Sequence, residues 1–157
     1  MKNGSGKLEK SPEKFLKDKE FKNSEFIGAI IINLILLYLI NNILSWKLSF
    51  ILISFKDVIP ILNIVVIANI TANILYIVYK EEWFWSLSQV ALNVISYIML
   101  STIYRVFPFY FKNIYVYYKF RGLLIVAMIV TLIAIFAHSI KFILKKGVEM
   151  NWCYRVL

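Results

Sequence analysis

The chain has 157 residues, of which 61% are hydrophobic, and a formal net charge of +9. A soluble domain of this length cannot bury so much apolar surface, so lipid must be the solvent for part of the chain. The basic residues lie in the N-terminal tail and between or beyond the uncharged apolar runs, where membrane proteins carry charge for topology and lipid headgroups. This distribution argues against nucleic acid as a partner. The single cysteine, Cys153, excludes an internal disulfide and a cysteine-based metal site.

The first third of the chain predicts a tail, one span and one interfacial segment. Residues 1–25 are polar and basic, with seven lysines and five acids. The uncharged run at 26–45 is long enough for a transmembrane helix, which needs about 20 residues. Trp46 and Lys47 mark its exit, because aromatic and basic residues collect at membrane interfaces. The next apolar stretch, within 46–56, is too short to span and is predicted to lie in the interface.

Two further spans follow, and both carry polar residues. The second, at 58–79, is uncharged but contains three asparagines. Amides at membrane depth are costly unless other protein groups satisfy them, so this helix is expected to face its neighbours. A short charged turn at 80–82 makes the third span, at 84–104, its antiparallel neighbour. Polar side chains recur on one stripe of the third span, at about 100° per residue.

Five amides on the second and third spans are the candidate inter-helix polar network: Asn63, Asn69, Asn73, Gln89 and Asn93. We expect them to hydrogen-bond across the interface between the two helices, which is the common use of such residues in membranes. The alternative is that they line a polar pathway or a binding pocket.

The fourth predicted span, at 122–144, carries the sixth candidate, His138, on a seam of small and polar residues. Such a seam lets two membrane helices approach closely. His138 is expected to hydrogen-bond to an adjacent helix, and a proton relay is the alternative. Residues 145–157 are predicted to be a short basic tail.

The segment 105–121, before the fourth span, has four basic residues, no acids and eight aromatics. This composition predicts an interfacial segment with its rings at headgroup depth. Its basic residues are candidate contacts for anionic lipid headgroups, with ordinary interfacial anchoring as the alternative: Arg105, Lys112, Lys119 and Arg121.

The orientation follows from the number of spans and the charge. Four spans place both termini on one side of the membrane, with twelve basic residues on that side and six on the other. The positive-inside rule therefore favours cytoplasmic termini.

The sequence thus predicts an all-α, polytopic membrane protein: a four-helix transmembrane bundle with short interfacial amphipathic segments. No span contains an acid, and neither a metal motif nor a nucleophile motif is present, so we expect no catalysis and no cofactor. The first hypothesis is a non-catalytic subunit or oligomeric interaction protein of the cell membrane, whose partners are the bilayer and either a second copy or another membrane protein. The alternative is a small transporter or permeation-pathway protein with an amide-lined cavity. A lipid-modifying enzyme is the third hypothesis, since the basic residues of 105–121 can bind a phosphate.

Overall fold

A computed structural model describes residues 22–156, with side chains at 22–81 and 83–144. Most of the predicted N-terminal tail therefore lies outside the described residues. The described part contains four α-helices: α1 (Asn23–Asn42), α2 (Ile59–Val78), α3 (Glu82–Val106) and α4 (Ile114–Val156). All four are long and apolar enough to cross a membrane. The prediction of an all-α protein with four spans is confirmed.

The helix bounds differ from the predicted ones mainly at α4. This helix begins at Ile114 rather than at 122, so the last eight residues of the predicted interfacial segment 105–121 are helical. Asn113 starts it, because its side-chain oxygen accepts the N–H of Tyr115 at 2.8 Å and so satisfies an amide that the first turn cannot. At the other end the helix continues to Val156, through the predicted tail. Aromatic and basic content indicates membrane depth but not backbone conformation, which is why 114–121 was predicted as a separate segment.

The helices pack in the order of the chain. α1 packs on α2, α2 on α3, and α3 on α4. Between the described residues, no close backbone approach joins α1 to α3 or α4, or α2 to α4. The bundle is therefore an open row with α1 and α4 at its edges.

An aromatic core lies at the end of the bundle where α2 turns into α3. Tyr76, near the end of α2, is 1% exposed and packs against the ring of Trp85 on α3, with 4.4 Å between centroids. Phe26, in the first turn of α1, lies 5.5 Å from Tyr76 and 6.2 Å from Trp85. Three helices are thus held together at this end by large rings.

At the opposite end, the α1–α2 and α3–α4 connections pair with each other. Ile51 and Phe109 form an antiparallel bridge. Two backbone hydrogen bonds flank it: the Leu52 N–H donates to the Pro108 carbonyl at 3.0 Å, and the Tyr110 N–H donates to the Phe50 carbonyl at 2.9 Å. A 3₁₀-helix, Ile53–Asp57, then leads into α2. Val58, which follows this 3₁₀-helix, and Pro108 are fully buried. The bridge places both connections at one end of the bundle, as four alternating spans require.

Over residues 22–81 and 83–144, the outward faces of the four helices are apolar. Large aliphatic and aromatic side chains remain exposed on each of them, for example Ile32 at 60% and Phe136 at 69%. Among these described side chains, the buried core consists of a few residues near the two ends and along the helix contacts. Such a surface is expected where lipid is the surrounding solvent.

Candidate functional site

Two groups of polar residues are candidate sites. The first, which we call the amide seam, consists of Asn69 and Asn73 on α2 with Gln89 and Asn93 on α3. The second, the arginine cage, consists of Arg121 with the rings of Tyr104, Phe107 and Tyr117.

The amide seam lies where α2 and α3 face each other. Gln89 donates from Nε2 to the hydroxyl of Tyr76 at 3.4 Å, a long and therefore weak hydrogen bond. Asn69 and Asn73 precede Tyr76 by seven and three residues, so they lie on the same face of α2 as Tyr76. Asn93 follows Gln89 by four residues and lies on the same face of α3 as Gln89. All four amide side chains of the seam are half-buried.

Most amides of the seam bond within their own helix. Asn69 donates to the Val65 carbonyl at 2.8 Å, and Asn73 donates to the Asn69 carbonyl at 2.7 Å. Asn93 donates to the Gln89 carbonyl, also at 2.7 Å. Within residues 22–144 these asparagines make no other side-chain hydrogen bond, so each keeps one N–H and an oxygen unused. Of the predicted network across α2 and α3, the structure joins only Gln89, and its partner is Tyr76.

Asn63 belongs to a different contact. Its amide pairs reciprocally with that of Asn41 on α1, with both N–H···O distances at 3.0 Å. The pair lies beside the connections, because Asn41 is at the end of α1 and Asn63 near the start of α2. Asn41 was not among the predicted site residues. The sequence did offer one signal for Asn41, its place near the end of the first span. An amide there lies close to the start of the second span, where Asn63 is.

His138 stands apart from the amide seam. It is half-buried on α4, and its Nδ1 atom is enclosed without a hydrogen-bond partner in the described part of the chain. The expected hydrogen bond to an adjacent helix is therefore not formed through this atom.

The four predicted headgroup residues differ in exposure. Arg105, Lys112 and Lys119 are exposed, whereas Arg121 is half-buried between α3 and α4. The Arg121 Cζ atom lies 4.4 Å from the ring centroid of Tyr104. The rings of Phe107 and Tyr117 are each 5.6 Å away. Arg121 is thus the one enclosed cation of the four.

Hydrogen bonding leaves most of the guanidinium unused. Nη1 of Arg121 donates to the Tyr117 hydroxyl at 2.8 Å. Nε is buried and has no partner among the described residues. The i,i+4 spacing of Tyr117 and Arg121 was a signal that the sequence offered for this contact.

The cage depends on how α3 ends. Phe107 is the residue after α3 and has a left-handed backbone with φ 41°, while its N–H donates to the Ile103 carbonyl at 2.8 Å. This conformation turns the chain back toward α4 and sets the Phe107 ring 4.8 Å from that of Tyr117. The ring of Phe120 also packs against Phe107, with 6.1 Å between the two ring centroids.

No set of three or more histidine, cysteine, aspartate or glutamate residues comes together as metal ligands in the part of the chain that the structure describes. Comparison with protein-family models, curated proteins and solved structures finds no match for this chain.

Proposed function

We propose that this chain is a non-catalytic subunit of the membrane, which acts by associating with a helix of another membrane protein or of a second copy. The proposal of an integral, multi-pass membrane protein is supported by four helices that are long and apolar enough to cross a membrane. One observation carries the proposal: the amide seam keeps hydrogen-bonding capacity unused at the middle of α2 and α3.

An unused amide at membrane depth favours a polar partner. An asparagine side chain has two N–H groups and an oxygen with two lone pairs. Asn69, Asn73 and Asn93 each use one of these N–H groups in a bond within their own helix. Hydrocarbon cannot satisfy the remainder, whereas a serine, threonine or amide side chain of a further helix can. The half-buried side chains leave such a helix room to reach them.

We also propose the cell membrane as the location, with both termini in the cytoplasm. The support is the charge distribution, since the side with the termini carries twelve basic residues and the side with the two connections carries six.

Thiol accessibility in intact membranes tests the seam against a water-filled pathway. Single cysteines replace Asn69, Asn73 or Asn93 on a Cys153→Ser background, with Phe50→Cys as the exposed positive control. A seam that packs on protein stays unreactive toward a water-soluble maleimide while position 50 reacts. Labelling of all three seam positions would contradict the proposal and would make a transporter the better hypothesis.

Association itself is tested with the purified full-length chain in detergent. We expect Asn73→Leu and Asn93→Leu each to raise the dissociation constant about threefold, because inter-helix hydrogen bonds in membranes contribute about 0.6 kcal/mol. Energy transfer between two labelled populations measures association of copies, and co-purification with tagged chain from native membranes measures another partner. Ile74→Leu is the matched control, because Ile74 adjoins Asn73 but is 49% exposed. Equal effects of Asn73→Leu and Ile74→Leu would overturn the assignment.

A further inference from the structure

We propose that the arginine cage is a binding site for the phosphate group of an anionic phospholipid. This site is separate from the amide seam, at the end of the bundle that holds the two connections, and its ligand is a lipid rather than a protein. The proposed subunit role can therefore fail while this site remains, and the reverse also holds.

The charge balance at this end favours an anion. Residues 43–58 and 105–121 contain one acid, Asp57, and six basic residues: Lys47, Lys56, Arg105, Lys112, Lys119 and Arg121. From residue 83 to residue 148 the sequence has no acid at all. The stretches of α3 and α4 that hold the cage therefore supply no carboxylate, and among the described side chains the arginine has no counter-charge.

Arg121 differs from the other basic residues in being enclosed. Its guanidinium is stacked on Tyr104 at 4.4 Å and bonded to the Tyr117 hydroxyl at 2.8 Å, which fixes its direction. Rings attract a cation but do not neutralise it, and a half-buried charge is poorly hydrated. A guanidinium presents parallel N–H groups that match two oxygens of a phosphate. The cage thus holds a pre-oriented donor whose missing partner is an anion.

The surroundings favour a lipid over a free phosphate. Ile125 and Ile129 lie one and two turns deeper than Arg121 on the same stripe of α4, and they are 42% and 52% exposed. An acyl chain can follow this stripe into the hydrocarbon while its phosphate meets the guanidinium. Tyr115 and Tyr118, which are 74% and 65% exposed, set the headgroup depth just above Arg121.

Native mass spectrometry of the full chain in detergent micelles tests the site. The probes are phosphatidylglycerol and phosphatidylcholine with identical acyl chains, so that only headgroup charge differs. We expect wild-type protein to bind phosphatidylglycerol with an affinity about tenfold higher than phosphatidylcholine, and Arg121→Gln to abolish that preference, since hydrogen bonds between charged groups are among the stronger ones. Lys119→Gln is the matched control because Lys119 is exposed on the same helix, and its preference should stay within about twofold of wild type, as a solvent-exposed charge contributes little.

Further variants separate binding from folding. Tyr117→Phe removes the hydrogen bond to Arg121 but keeps the charge and the ring, so the preference should persist. Arg121→Lys keeps the charge but lacks the paired N–H groups, so the preference should fall below that of wild type. Elution from a sizing column and helical circular dichroism show whether Arg121→Gln folds as wild type does. If it does not, Arg121→Lys is the deciding variant. A reduced preference for phosphatidylglycerol in Arg121→Lys supports the site, and an unchanged preference overturns it.

Two other results would also overturn the proposal. One is a folded Arg121→Gln protein that still prefers phosphatidylglycerol. The other is an equal loss of preference in Arg121→Gln and Lys119→Gln, which would indicate diffuse attraction. Inorganic phosphate distinguishes the two sources of the anion: displacement of the lipid at equal concentration would show a site for free phosphate, contrary to the proposal.

Discussion

Asparagine side chains in this protein bond in two ways, and the difference bears on stability. Asn41 and Asn63 exchange two amide hydrogen bonds across α1 and α2, both at 3.0 Å. Asn33 instead donates to the Ala29 carbonyl on its own helix at 2.8 Å. Asn41 makes both kinds of bond, since its amide nitrogen also donates to the Leu37 carbonyl of α1 at 2.8 Å. A bond within one helix adds nothing to the contact between helices. Only the first kind therefore couples two helices energetically.

A double-mutant cycle measures this coupling. We expect Asn41→Leu and Asn63→Leu to be non-additive by about 0.6 kcal/mol in the free energy of unfolding, the average for such bonds in membranes. Unfolding by SDS in mixed micelles provides the measurement. Asn33→Leu combined with Asn63→Leu is the control and should be additive. Additivity in both cycles would show that the reciprocal pair is not formed.

Tyr76 is the most enclosed ring of the aromatic core, at 1% exposure, whereas Tyr79, the residue after α2, is 56% exposed. We expect Tyr76→Ala to lower the free energy of unfolding by about 3 kcal/mol, because it leaves a cavity against Trp85 and Phe26. Tyr79→Ala should change it by about 0.5 kcal/mol or less. The same SDS titration compares them, and similar losses would place the core elsewhere.

At the scale of elements, two non-glycine residues within 22–156 have a left-handed backbone: Lys47 after α1, at φ 49°, and Phe107 after α3, at φ 41°. This conformation costs a non-glycine residue about 1–2 kcal/mol. Lys47 is exposed, so little is gained in return. The Phe107 ring, in contrast, packs in the arginine cage against Tyr117.

Glycine and alanine substitutions separate strain from packing at these two positions. We expect Lys47→Gly to raise the free energy of unfolding by about 0.5 kcal/mol. Glycine removes the strain of the left-handed backbone, and its greater conformational entropy in the unfolded chain offsets part of that gain. Phe107→Gly should destabilise it, and Phe107→Ala should be less stable than Phe107→Gly because it loses the ring and keeps the strain. Thermal unfolding followed by circular dichroism ranks them. An alanine variant more stable than the glycine variant would contradict the left-handed backbone.

The sequence predicted the existence of the helices better than their ends. Span lengths follow from uncharged runs, because hydrocarbon thickness sets the number of residues needed. The start of α4 follows instead from one side chain, Asn113, whose capping bond outweighs the interfacial composition that follows it. Periodicity likewise cannot determine which group each amide hydrogen-bonds to. A stripe shows which face a residue occupies, but not whether Asn73 bonds to its own helix or to the next one.

At the scale of the whole molecule, the pairing of the two connections could not be predicted, since Ile51 and Phe109 are separated by two full helices and neither stands in a recognisable strand. The structure makes this pairing testable. Both flanking hydrogen bonds join the neighbours of Ile51 and Phe109, so these two residues form a non-hydrogen-bonded pair. Their Cα atoms are then about 4.5 Å apart.

That spacing suits a disulfide. We expect Ile51→Cys with Phe109→Cys, on a Cys153→Ser background, to form an intramolecular disulfide under mild oxidation. A shift in electrophoretic mobility that a reductant reverses, together with a loss of two free thiols by mass, provides the measurement. Ile53→Cys with Phe109→Cys is the control, because Ile53 is 74% exposed and lies beyond the bridge. Free thiols in the first variant would place the two connections apart.

The bridge between the connections also imposes an order on biogenesis. The ribosome delivers α1, its connection and α2 before Pro108 and Tyr110 exist, so the Leu52 N–H and the Phe50 carbonyl must first bond to water at the membrane surface. Once the α3–α4 connection has been made, its Pro108 carbonyl and Tyr110 N–H replace that water. The bridge can form only after residues 108–110 have been made, so in a nascent chain released before them α3 is joined to the first hairpin only by its packing on α2 and by the aromatic core.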